Sequence, residues 1–306
     1  MIQTSFAALS LILISWWMRR RGLLHRDHAQ AFVTVVLYLA MPALVFLIVA
    51  RADLRSDLLL VPVAGWAMHL VMLGAGVAVA RARRMDRPRT GAFLTSTAVG
   101  NTGFFGLPLI AASGAGFSLP AAVMFDALST AIITWTSTIA ISTAYGSVGL
   151  GRPRIDWRAL RHGIMLPPMW ALLAGLAWNV LGIGEIPGIV ERPLEILGAA
   201  VLPMVMVYAG LVFTPRGITR HLGDLTLVTV LRLAGGAVVG WIVGRALGLE
   251  GATLHTVVVM GAMPTAMMSL VLGDQYGLRR DLLAGAVVVT TLLCTLTLPI
   301  VRWMVL

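Results

Sequence analysis

The chain has 306 residues, 58% of them hydrophobic and 12% charged, and its mean hydropathy is +0.90. That composition cannot clothe a soluble globule, and apolar runs of bilayer-crossing length recur along the chain, so it reads as one integral membrane domain in a lipid bilayer. The net charge is +10 and all 23 basic residues are arginine. They sit in short loops, with no basic face interleaved with aromatics, which argues against nucleic acid as a partner. Cys294 is the single cysteine, which leaves no disulfide framework and no cysteine zinc site.

In chain order, the first apolar run, residues 2–18, is followed rather than preceded by arginines, Arg19 to Arg21, and reads as a retained span, not a signal. Further spans are expected at 32–50, 58–80, 90–111, 119–145, 164–183, 190–213, 224–246, 252–273 and 282–303. The loops 1-2, 3-4, 5-6, 7-8 and 9-10 carry 17 of the arginines; the remaining loops and the C-terminal end carry Arg51, Arg55, Arg192, Arg245 and Arg302. Arginine-rich short loops stay in the cytoplasm, so both termini are expected outside, in a multi-pass protein of the cell membrane.

The basic, glycine-containing stretch 146–163 divides the chain into residues 1–145 and 164–306, two blocks of five spans. An odd number of spans per block inverts the second block relative to the first, an architecture recurrent among transporters. The expected fold is therefore all-α, with ten membrane helices in two inverted repeats. Paired features support the division: LAMPALVF at 39–46 matches AVLPMVMV at 200–207, and span 4 and span 9 each carry a break.

Those breaks are the candidate site. Span 4 holds GNTGFFGLPL at 100–109, with Gly100, Asn101, Thr102, Gly103, Gly106 and Pro108, and span 9 holds GAMPTAMMSL at 261–270, with Pro264, Thr265 and Ser269. A proline in a helix removes an amide donor and crowds the carbonyl four residues earlier, here near Phe104 and Met260. Such breaks survive at membrane depth where protein or a water-filled cavity meets them, and matched breaks in two halves point to a midplane binding site. Simple kinking is the alternative, and it is preferred for Pro42 and Pro203, whose neighbours are apolar.

Three ionisable residues lie deep in spans: His69, Asp126 and Arg232. Arg232 could offer its fork to a carboxylate or pair with Asp126; Asp126 could carry a proton or serve as that counter-ion. His69 is a coupling candidate that reads better as a hydrogen-bonded packing residue. Glu191 and Glu195 belong to a solvated outer rim, and the methionines of span 9 read as adaptable packing.

The quoted GNTGFFGLPL, together with RRRGLL at 19–24, LYLAMPALVF at 37–46, AAVLPMVMVYAG at 199–210 and MPTAMMSLVLGDQYG at 263–277, resembles the auxin efflux carrier family over nearly the whole chain. The resemblance implies a sodium/proton-antiporter-like fold in which broken spans 4 and 9 cross. Spans 1, 2, 6 and 7 would form a dimerising scaffold, and spans 3 to 5 and 8 to 10 a moving, elevator-type transport domain. It implies a small organic carboxylate as substrate, with Asn101 on the carboxylate, and a homodimer. The substrate-binding set expected is Asn101, Thr102, Gly103, Arg232, Thr265 and Ser269, with Gly100, Gly106, Pro108 and Pro264 shaping the crossover.

No cofactor or metal is expected, and the coupling ion, proton or sodium, stays open: Asp126 could carry a proton, and freed carbonyls could bind sodium. An anion channel and a ligand sensor are alternative functions. An intramembrane enzyme using His69 and Asp126 is disfavoured by the absence of HExxH, GxSxG or a nucleophile beside a base. Orientation is directly testable. In a Cys294→Ser background, an impermeant maleimide added to intact cells is expected to label Ser56→Cys and to spare Ser147→Cys; the opposite pattern inverts the topology.

Overall fold

The computed structural model describes residues 2–25, 27–52, 56–147, 165–212 and 221–306, and among these every regular element is a helix. Stretch 146–163 beyond Ser147, the loop arginines Arg216 and Arg220, and Arg55 lie outside the described residues. We number the helices α1 Ile2–Arg20, α2 His28–Ala50, α3 Leu60–Ala82, α4 Arg87–Ala98, α5 Thr102–Ala111 and α6 Leu119–Tyr145. They continue with α7 Pro167–Val180, α8 Gly188–Val212, α9 Leu222–Ala246, α10 Gly251–Gly261, α11 Met267–Gln275 and α12 Arg280–Val305.

Six of these, α2, α3, α6, α8, α9 and α12, are long and apolar enough to cross a bilayer. The other four expected spans coincide with α1, the broken pair α4 and α5, the short α7, and the broken pair α10 and α11. Local chemistry sets the ends. Asp86 caps α4 by accepting from the Arg89 amide at 2.9 Å, with Pro88 in the first turn. Ser118 caps α6 in the same way, accepting from Ala121. α7 stops where Gly182 takes φ +61°, a conformation that favours glycine.

Helix α7 packs along the second half of α2, α8 covers α1 and α2, and α9 lies between α3 and α10. The main apolar core joins Met68, Phe105, Leu109, Phe125, Val205, Met206, Val258 and Met260. Within it α9 and α10 meet backbone to backbone at Gly236 and Gly261: a Cβ at Gly236 would stand 2.1 Å from the Gly261 carbonyl oxygen.

Three stretches widen into π-helical turns that matter below: Thr102–Gly106, Asp126–Thr130 and Val230–Gly235. The first absorbs Pro108, whose missing amide falls just beyond a wide turn. Span 4 therefore breaks earlier than Pro108, at Val99 to Asn101, which corrects the expectation that this proline makes the break. Pro264, by contrast, lies inside the interruption between α10 and α11.

The α9–α10 contact gives a measurable outcome. Gly236→Ala is expected to cost about 1–3 kcal/mol by overpacking, read as a lowered melting temperature in detergent. Gly74→Ala, with nothing within 4 Å of its Cβ, is expected to be neutral or mildly stabilising; equal melting of both variants would dissolve the contact.

Candidate functional site

Where the two interrupted helices meet, the chain makes a short antiparallel bridge between Gly100 and Thr265. The Asn101 amide donates to the Pro264 carbonyl at 2.7 Å, and the Ala266 amide donates to the Val99 carbonyl at 3.0 Å. Each interrupted segment thus supplies the other with the backbone partner its own helix has lost.

The carbonyl ends of α4 and α10 point at this junction, and each carbonyl there has a donor. On α4, Thr95 accepts from the Ser269 hydroxyl at 3.3 Å, Ser96 from the Thr265 hydroxyl at 2.9 Å, and Thr97 from Arg232 Nη1 at 3.1 Å. The Ala98 carbonyl meets His69 Nδ1 at 3.1 Å. On the other side, Gly261 accepts from Arg232 Nη2, Met263 from Arg232 Nε at 3.0 Å, and Ala262 from the Cys294 thiol at 3.5 Å. A carbonyl only accepts, so His69 carries its proton on Nδ1 while Nε2, 2.8 Å from the Ser137 hydroxyl, is held on its other side. Arg232, 4% exposed, places a cation where two helix C-termini bring partial negative charge together.

The amino ends of α5 and α11 open instead onto a cavity of about 300 Å³, lined by Asn101, Thr102, Gly103, Phe104, Ala266, Met267 and Met268. First-turn amides have no carbonyl before them in their own helix and favour anions. The Asn101 Nδ2 donor is buried there without a hydrogen-bond partner, in a residue only 3% exposed. Asp126 lines the same cavity and accepts from the Thr102 hydroxyl at 2.6 Å. Tyr38 and Trp135 lie along the wall, and Met41, Val45, Leu107 and Val123 supply apolar surface.

Of the expected substrate-binding residues, Asn101, Thr102 and Gly103 come together at this cavity with Asp126 and Gly100. Arg232, Thr265 and Ser269 do not line it; their side chains are spent on carbonyls. They were expected to bind substrate; here they brace the ends of α4 and α10, Arg232 through one N–H on each of its three nitrogens. The expected Arg232–Asp126 pair is corrected: the carboxylate bonds the Thr102 hydroxyl, and the guanidinium bonds three carbonyls. Gly106 packs against Met260 and Met263, and Pro108 faces a second cavity of about 810 Å³. That larger space holds none of the junction residues and is mostly apolar. Arg51 at its rim is paired with Glu191, and with Glu195 at 3.4 Å.

Sequence reasoning missed Thr130, Thr134, Tyr38 and Trp135 as cavity residues. A signal existed for two of them: Asp126, Thr130 and Thr134 recur every fourth residue and so share one helix face.

The chain matches the model of the family described as membrane transport protein over residues 2–147 and 153–302. It is 29% identical to an "Uncharacterized transporter" of Methanothermobacter thermautotrophicus, over 97% of this chain and 96% of that one. It is 26% identical to the "Putative malonate transporter" of Rhizobium meliloti, over 89% and 86% of the two chains. Auxin efflux carrier component 1 of Arabidopsis thaliana is 28% identical over 43% of this chain and 22% of its own length.

The junction predicts a large mutational cost. Arg232→Met strands three buried carbonyls and is expected to lose about 3–5 kcal/mol, the usual consequence of removing one partner from a buried charged contact. Thermal denaturation in detergent checks it; a melting temperature unchanged from wild type would show that the carbonyls do not depend on the guanidinium.

Proposed function

The chain belongs to the membrane transport protein family that includes the auxin efflux carriers, as a transporter and not an enzyme, and on that premise we propose that it carries a small organic carboxylate. The carboxylate sits at the amino ends of α5 and α11, where Asn101 Nδ2 donates to it. The observation that carries this reading is that buried, unpartnered amide donor beside two helix amino ends. A buried donor without a partner costs free energy, and an anion supplies what it lacks. The cavity volume of about 300 Å³ lies at the small end of ligand sites. Malonate and auxin, the solutes in the names of two relatives, are both carboxylates.

Architecture follows the same proposal. Ten spans form two inverted repeats, residues 1–145 and 164–306, and the two interrupted spans cross at the Gly100–Thr265 bridge. α1, α2, α7 and α8, which pack on one another, act as a dimerising scaffold, and the remaining helices carry the site in an elevator-type alternation. A membrane potential acts on a transported anion with about 2.3 kcal/mol per charge per 100 mV. A monoanion carried without a co-ion would be driven outward by a negative interior, toward export or facilitated exit; both termini of the chain face outside.

Uptake and efflux of a carboxylate panel in proteoliposomes test the reading. Saturable transport is expected for at least one member. Asn101→Ala is expected to weaken it about 10- to 100-fold, the worth of one hydrogen bond to a charged group, with melting near wild type. Unsaturable flux at channel rates, or full activity in Asn101→Ala, would overturn the carrier or the site respectively.

A further inference from the structure

A carboxylate seated at the α5 and α11 amides lies beside Asp126. Two like charges that close, in a cavity with apolar walls, repel strongly. Asp126 has one hydrogen-bond partner, the Thr102 hydroxyl on Oδ1, and among the described residues no cation pairs with it. Its carboxylate lies over the backbone of Gly103, where a Cβ would come within 2.9 Å of Oδ2 and 3.0 Å of Oδ1. Both oxygens are therefore held at the amino end of α5, the place a substrate anion needs.

The ionisable groups nearby do not relieve this. On α3, His69 is committed at both ring nitrogens to Ala98 and Ser137. On α9, Arg232 is bound to the carbonyls of Thr97, Gly261 and Met263. Tyr38 on α2 lies along the cavity wall, and α5, α7 and α11 bring only uncharged residues to the cavity. The opposite pole of the junction is closed to a second ion, because the carbonyls of Thr97, Gly261 and Met263 that could ligate a cation are taken by the guanidinium.

Building on the carboxylate-carrier reading, we propose that each carboxylate is held together with one proton on Asp126, and that no sodium ion takes part at the helix ends. The proton enters from cavity water onto Oδ2. The resulting hydroxyl donates to the substrate, so a repulsion becomes a hydrogen bond. Proton and substrate leave together, and a monoanion crosses as a neutral unit.

Calorimetric titration of the purified full-length protein with malonate and with indole-3-acetate, in buffers of different ionisation enthalpy, counts the protons taken up. Between about pH 6 and pH 9 the uptake is expected to rise toward about one per carboxylate, with affinity falling by up to about tenfold per pH unit. Replacing sodium by choline is expected to change neither. Asp126→Asn is expected to bind without uptake and with a flat pH profile. Binding by wild type without proton uptake throughout that range, or an affinity that follows sodium, overturns the inference and leaves the carrier reading standing. Because the count is made on wild type, a variant that misfolds does not blunt it. Failure of both carboxylates to bind removes the carrier reading and this inference with it.

Discussion

Two helices, α4 and α10, end buried inside the protein, where no solvent reaches the carbonyls they leave open. The junction is arranged around that requirement. Arg232 reaches both ends because α9 and α10 touch at Gly236 and Gly261, and because the helix widens at Val230–Gly235 where the arginine is mounted. The Thr265 and Ser269 hydroxyls, His69, the Cys294 thiol and the two bridge amides complete the set. Satisfying the carbonyls from these directions leaves the opposite pole, the amides of α5 and α11, free to face a cavity.

The polarity of the site follows. A cation stays at the carbonyl pole, and the amide pole keeps a buried, unpartnered donor on Asn101 with a carboxyl group on Asp126. The structure thus separates two roles that look interchangeable in a list of intramembrane charges. Arg232 is part of the backbone's support, whereas Asp126 borders the cavity.

Much of this was legible in the sequence, and the reasons for the misses are physical. The membrane class, the positions of the apolar runs and the two interrupted segments follow from composition and glycine/proline placement. The exact break in span 4 was not readable from Pro108, because a π turn over Thr102–Gly106 accommodates a missing amide without unwinding the chain. The commitment of Arg232 to carbonyls was hidden for a related reason. Carbonyls belong to every residue type, so their demand for donors leaves no mark in a sequence, while an aspartate elsewhere in the membrane invites pairing. Asn101 was visible because an amide side chain between glycines in an apolar run has no packing reason to be there.

The donors and acceptors at the junction also differ in what can change over generations. On the acceptor side, Thr97, Ala98 and Met263 contribute main-chain oxygens to these contacts, so replacing their side chains leaves the contacts chemically intact. On the donor side the chemistry resides in side chains, above all a guanidinium whose three nitrogens are all engaged. A lineage can therefore drift at the helix ends while its freedom at position 232 stays narrow, and the cavity lining can vary without disturbing the support behind it.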